Sequence, residues 1–285
     1  MESLVLVSAK DPARQDELQR LNARLAEFYN SAGSAGYFEF GYEQNRVWAP
    51  DSEQWVVHHC AQPGMAVADL GCGSAHAFDH LRDRDVHYTG IDWSREQLDR
   101  NAARCAGAQF VAAPLYDTGL PAEAYDLCFT FYVLEHLVWP QRFLAELVRL
   151  TKRGGLVTIV CPSYRPDGRI PSFPYGGRVM PLGRKLKSGH WIDAARHLYR
   201  RNVVFPRIVQ SRYPRDRFPF LINCEPSCLR GAYYTDNDAV YLVDRDEIVA
   251  ELAALGANDI THEVFADWNR PLPSDPCVIV ARRRA

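Results

Sequence analysis

No apolar run in the chain approaches the roughly 18 residues that a membrane-spanning helix needs, which excludes such a helix. Residues 1–10 lack a basic start followed by a long apolar stretch and a small-residue cleavage site, so the expected location is cytoplasmic. Internal repeats and low-complexity tracts are also missing, which leaves an ordinary globular chain. The eight cysteines (60, 72, 105, 128, 161, 224, 228 and 277) are scattered, several of them on expected core strands. That spacing supports no disulfide framework, so reduced apolar thiols and no resident metal are expected. At 285 residues and 47% hydrophobic composition, there is enough apolar material for one large α/β domain with an elaboration.

What is present begins with Val67-Ala68-Asp69-Leu70-Gly71-Cys72-Gly73-Ser74-Ala75 and, after a second strand-like stretch at 86–91, an isolated acid, Asp92. An apolar strand runs into a turn whose glycines let backbone approach a ligand, and a second strand ends in a carboxylate that can accept from both hydroxyls of a ribose. A dinucleotide site asks for a third glycine or alanine where this chain has His76, and no lysine follows the glycines as in a phosphate loop. The expected ligand is therefore a nucleoside without phosphates. Asp69 suits an ammonium group, Asp92 a ribose, and Trp93 offers a ring face to an adenine; S-adenosylmethionine carries all three groups.

With these residues the chain resembles the class I S-adenosylmethionine-dependent methyltransferases, and the likeness continues. Tyr125-Asp126-Leu127-Cys128-Phe129-Thr130-Phe131 is similar to that family's fourth strand, Val133-Leu134-Glu135-His136-Leu137 to the segment after it, and 153–160 to the turn and fifth strand. The resemblance covers roughly residues 55–161, with a return at 244–282. It implies an α/β, doubly wound, Rossmann-like sheet of seven mostly parallel strands, with S-adenosyl-L-methionine as cofactor. Asp69, Gly71, Cys72, Gly73, Asp92, Trp93, Asp117, Phe131 and Tyr132 are its implied contacts. The family commonly places an acid after the third strand to hold the adenine amino group. Here Phe110-Val111-Ala112-Ala113 leads into Pro114, and Asp117 is the nearest acid.

Leu18, Leu21, Leu25 and Phe28 predict a leading amphipathic helix over 11–30. An aromatic stretch at 37–42 with Trp48 then approaches a second helix, capped by Asp51 or Ser52. By resemblance this region is a lid, with Tyr37 and Tyr42 toward the substrate; packing on the sheet edge is the alternative. Strands are predicted at 65–70, 86–92, 108–112, 125–131 and 156–161, and helices near 76–83, 94–105 and 140–151. The expected organisation is an N-terminal helical lid (1–60), a cofactor-binding core (61–161), a basic aromatic substrate-side insertion (162–240), and a C-terminal helix and strands (241–285). Asp244 to Glu247 offers a capping box to the helix that Gly256 closes.

From Pro162 to Arg230 there are fourteen Lys or Arg against four acids, so that segment carries +10 while the whole chain carries −2. A basic elaboration after the fifth strand lies at the carboxyl edge of the sheet, which predicts a small anionic substrate; a solvated charged surface is the plain alternative. Its interleaved aromatics suit a substrate pocket, a membrane-facing surface or a small core. Arg165, Tyr233 and Asp236 are candidate substrate contacts, with Asp238 beside them in a turn-like stretch. If the acceptor is a hydroxyl, a base must take its proton. His136 and His190 are the candidates; Asp193 can orient His190 only if the local chain is not helical.

The leading expectation is an S-adenosylmethionine-dependent enzyme that O-methylates a small anionic acceptor such as a sugar, nucleotide-linked sugar or glycan. An RNA methyltransferase is the alternative that the basic segment raises, and nucleic acid is disfavoured because Thr130-Phe131-Tyr132-Val133 lacks the Pro-Pro-aromatic box of base methylation. A non-catalytic cofactor-binding regulator is a third reading. Thiol or metalloid methylation through Cys161, Cys224 and Cys228 is a fourth. The acceptor atom and oligomeric state stay open.

Overall fold

Nine strands are assigned in the computed structural model, among the described residues 4–34, 55–212, 219–230, 237–266 and 276–285: β1 (Leu6–Ser8), β2 (Ala66–Leu70), β3 (His87–Asp92), β4 (Gln109–Ala112), β5 (Tyr125–Phe131), β6 (Thr151–Cys161), β7 (Leu221–Asn223), β8 (Ala257–Asp259) and β9 (Cys277–Arg283). Seven form one sheet in the order β4-β3-β2-β5-β6-β9-β8, while β1 and β7 pair antiparallel in a second. In the large sheet β2 to β6 are parallel and β9 is antiparallel to both β6 and β8. The chain lays β3 and β4 on one side of β2 and β5 and β6 on the other. This places a topological switch point at the carboxyl ends of β2 and β5, where open α/β sheets bind ligands.

The helices are α1 (Gln15–Ser34), α2 (Trp55–Cys60), α3 (His76–Leu81), α4 (Arg95–Arg104), α5 (Pro140–Leu150), α6 (Leu182–Lys187), α7 (Trp191–Tyr199), α8 (Phe205–Arg212), α9 (Arg245–Ala254) and α10 (Thr261–Val264). Strands β2 and β5 are apolar and almost wholly buried, as strands covered on both faces must be. Helix α4 starts where Ser94 accepts from the Gln97 amide, relieving one of the unpaired donors of the first turn. Of the capping box at α9 only half is made: Asp244 accepts from the Asp246 amide, while Glu247 turns its carboxylate elsewhere.

The chain divides into two compact units, one of Tyr29–Leu134, Gln141–Pro162 and Ile248–Ala285, the other of Met1–Phe28, Glu135–Pro140 and Ser163–Glu247. The first, the sheet unit, is built on Val67, Leu127, Phe129, Val160, Val278 and Val280 with Phe78 and Leu81. The second, the inserted unit, has its own core of Ile170, Phe173, Tyr175, Phe205, Val209, Leu221 and Leu242. Phe173, Tyr175 and Phe205 of the basic segment thus build a small hydrophobic core, whereas Trp191 and Tyr199 are exposed.

Candidate cofactor and acid-base sites

The glycine turn between β2 and α3 is held from two sides. The amides of Gly71 and Cys72 both donate to the Ile91 carbonyl of β3, at 2.8 and 3.1 Å. Gly71 has φ +81°, and a Cβ there would lie 2.4 Å from Val133 Cγ2, so both conformation and space require glycine. From α4, Asn101 donates to the Gly73 carbonyl at 2.7 Å and Arg104 to the Ser74 carbonyl at 2.7 Å, while Arg104 also bridges to Asp79. Asn101 is held in turn by Gln97 at 3.0 Å. Gln97, Asn101 and Arg104 were missed in the sequence, although polar residues at helical spacing directly after Asp92 were the available signal.

Asp92 joins the two motifs. One oxygen accepts from the Gly73 amide at 2.9 Å and the other from the Ser94 amide at 3.0 Å, which leaves each oxygen a further lone pair for a ribose hydroxyl. Burial raises its pKa despite these bonds. Asp69, also buried, accepts from the Tyr88 hydroxyl at 2.6 Å. Burial, with repulsion from Asp92 as a lesser cause, outweighs that bond and lifts its pKa to about 7. A cofactor ammonium beside Asp69 would restore its charge at neutral pH. Trp93, at the end of β3, is 46% exposed and can offer its ring to a base. A half-solvated ring, a buried acid short of positive charge and a glycine cradle fit S-adenosylmethionine.

Phe131 ends β5 and is buried, and Tyr132 follows it at φ +53°, a conformation costly for a tyrosine, with its amide on the Val160 carbonyl. Cys72 is buried in the turn, and burial pushes its thiol pKa well up. Packing of the His76 ring, near Phe131, pulls its pKa down to about 4. Asp117 is exposed, five residues beyond β4, in the field of Arg149. The backbone that follows β4 directly is Ala113, whose amide donates to the Asp92 carbonyl.

In the inserted unit, His136 Nδ1 lies 3.3 Å from a carboxylate oxygen of Asp238, and Nε2 lies 3.7 Å from Glu135. Both acids are buried, at 1% and 2% side-chain exposure, whereas the imidazole is 14% exposed. Two buried carboxylates flank one partly accessible imidazole and orient it. The backbone supports the arrangement, since the amides of Val240 and Tyr241 both donate to the Glu135 carbonyl.

His190 immediately precedes the helix α7, and Asp193 turns instead to Lys185, at 3.0 Å. The local chain is helical, the condition under which Asp193 was not expected to orient His190. Arg165 is not laid open to an anionic substrate: it is buried against Glu247 at 3.2 Å and Asp244 at 3.6 Å. Glu247 also accepts from Tyr241 and from the Phe220 amide, so Arg165 completes a buried ionic network. Tyr37, Tyr42, Tyr233 and Asp236 lie outside the described residues.

Cys161 faces Cys277 across β6 and β9, with sulfurs 3.4 Å apart, and burial raises the pKa of both Cys224 and Cys228 to about 12. Among the described residues no group of three or more His, Cys, Asp or Glu could hold a metal. Nor is any described helix long and apolar enough to cross a membrane.

Comparison with known proteins agrees with this geometry. Residues 68–159 match the methyltransferase domain family. The chain is 27% identical over 183 residues to a Mycobacterium bovis protein named only as an uncharacterized methyltransferase, covering 61% of this chain and 66% of that one. It is 31% identical over 163 residues to a Mycobacterium leprae protein of the same description, covering 52% and 58%. The chain thus spans less than two thirds of either relative's length. Its fold is similar to that of Burkholderia thailandensis 1,6-didemethyltoxoflavin-N1-methyltransferase, solved with 1,6-didemethyltoxoflavin and S-adenosylhomocysteine, at TM-score 0.53 over 91% of this chain and 89% of that one. At 15% identity that likeness concerns the fold alone. Residues 68–159 are therefore a methyltransferase domain of the kind that uses S-adenosylmethionine.

Proposed function

We propose that the protein transfers a methyl group from S-adenosylmethionine to an oxygen of a small anionic acceptor, such as a sugar, nucleotide-linked sugar or glycan, in the cytoplasm. The observation that carries this reading is the pairing of His136 with buried Asp238. The bound cofactor supplies a methyl group made electrophilic by its sulfonium. Asp92 would hold the ribose, Asp69 the ammonium and Trp93 the adenine. With Nδ1 turned to Asp238, His136 presents Nε2 to an acceptor hydroxyl and takes its proton; Asp238 and Glu135 then stabilise the imidazolium. Domain roles follow: 61–161 binds cofactor, 1–60 covers it, 162–240 faces the acceptor and 241–285 completes the sheet. The +10 charge of 162–230 supports an anionic acceptor.

Calorimetric titration with S-adenosylhomocysteine, repeated on Asp92→Ala, tests the cofactor half. Micromolar binding that collapses in the variant is expected; absence of binding to the native chain would sink the reading. In a screen of anionic sugar acceptors, His136→Ala and Asp238→Asn should each lower kcat about 100-fold or more with cofactor affinity intact. Unchanged rates in both variants would remove the base. Steeply salt-dependent RNA binding would favour a nucleic-acid acceptor instead.

A further inference from the structure

Helix α7 carries its apolar side outward. Ala194 is buried and Asp193 and His197 are half-buried; Asp193 meets the fully buried Lys185, and the His197 ring packs 5.3 Å from that of Tyr175. Facing solvent are Trp191 at 65% exposure, Ile192 at 80%, Leu198 at 43% and Tyr199 at 60%, with Leu186 of α6 at 37%. Trp191, Ala195, Leu198 and Tyr199 recur on one helical stripe, the pattern that ordinarily faces a core. Helix α8 does the opposite, burying Phe205 and Val209. Between the two lies the π-helical turn Arg200–Val204. Pro206 has no N–H to return to residue 202, and the wider turn rotates the face of α7 away from that of α8.

The outward face is rimmed by charge of one sign. Residues 178–212 hold nine Lys or Arg and one acid, Asp193, so the segment carries 9 − 1 = +8, against −10 for the rest of the chain. Lys185 takes up that acid. Arg178, Arg184, Lys187, Arg196, Arg207 and Arg212 are exposed, with no ion pair among the described residues.

We infer that this surface docks on an anionic phospholipid bilayer. The Trp191, Ile192, Leu198 and Tyr199 stripe enters the headgroup boundary and the surrounding cations meet lipid phosphates. Tryptophan and tyrosine suit that depth because their rings combine an apolar body with a polar edge. A second copy of the chain would bring two +8 segments together. A nucleic acid would use the cations and rings but leave Ile192, Leu198 and Leu186 against a charged backbone. Since no described helix spans a membrane, the attachment is peripheral. This docking stands independently of the methyl-transfer reading.

The test is co-sedimentation of the full chain with vesicles of phosphatidylcholine alone and of phosphatidylcholine mixed with phosphatidylglycerol. Binding to the mixed vesicles only, weakening with added salt, is the expected result. Ile192→Glu, and the triple variant Arg184→Gln, Lys187→Gln, Arg196→Gln, should each bind at least about tenfold more weakly while melting at the native temperature. Failure to bind the mixed vesicles, or native binding by Ile192→Glu, would overturn the proposal. So would self-association or RNA binding found in place of vesicle binding.

Discussion

Around the cofactor turn, polar side chains hold backbone: Asp92 accepts from the amides of Gly73 and Ser94, Asn101 donates to the Gly73 carbonyl, and Arg104 to that of Ser74. In the inserted unit, charged side chains hold one another: Arg165 sits between Glu247 and Asp244, Lys185 meets Asp193, and His136 lies against Asp238. The first arrangement presents amides and carbonyls in a fixed pattern that a nucleoside can join. The second buries charge that is tolerable only while each partner remains, so the stability of the inserted unit hangs on individual pairs.

Four substitutions probe that contrast. Arg165→Ala should have the largest effect, about 3–5 kcal/mol of stability, because Glu247 and Asp244 are left buried without their cation. A thermal melt checks it; an unchanged melt with a raised KM for an anionic acceptor would make Arg165 a substrate ligand after all. Gly71→Ala comes next, at roughly 2–4 kcal/mol, since the new methyl meets Val133 and the backbone must keep a positive φ. It should also abolish S-adenosylhomocysteine binding, and native affinity would show that the turn is not the cofactor cradle.

Asp69→Asn sharpens the comparison through pH. Asp69 titrates at about 7 in the folded chain against an ordinary 3.8, so its favourable contribution is complete below pH 3.8 and is lost as pH rises through 7. The variant should therefore gain on the native protein by up to roughly 3 kcal/mol between pH 4 and pH 8, a difference in which the effect of His76, common to both, cancels. Parallel stability curves would mean that Asp69 keeps its charge in the folded chain. Trp93→Ala should have the smallest effect, a two- to tenfold loss of S-adenosylhomocysteine affinity with no change in melting, because the ring is already half in water. Unaltered affinity would remove Trp93 from the adenine site.

Strands β2 to β6 and helices α3 to α5 were legible because apolar alternation and continuous apolar runs report burial directly. The turn at Gly71 and the place of Asp92 at the end of β3 were legible too, since a glycine turn between two strands is a local signal. Arg165 was misread as open to substrate: its charge is visible in the sequence, but its partner Glu247 lies 82 residues away. The partner of Asp193 was hidden too, because Lys185 comes from the preceding helix α6 and nothing in the local spacing marks it. Tyr88, which holds Asp69, reads in sequence as an ordinary strand aromatic.

The positions of strands β2 to β6, the glycine turn and the acid at the end of β3 were determined by the sequence alone, because each rests on backbone conformation and on neighbours within one supersecondary unit. Which carboxylate faces His136, and that Arg165 is neutralised inside the inserted unit, were decided only by tertiary structure, since those partners come from distant segments. The outward turn of the α7 stripe belongs with them: its spacing reads as a core-facing helix, and only the π turn before Pro206 and the filled core beneath α8 leave it facing solvent.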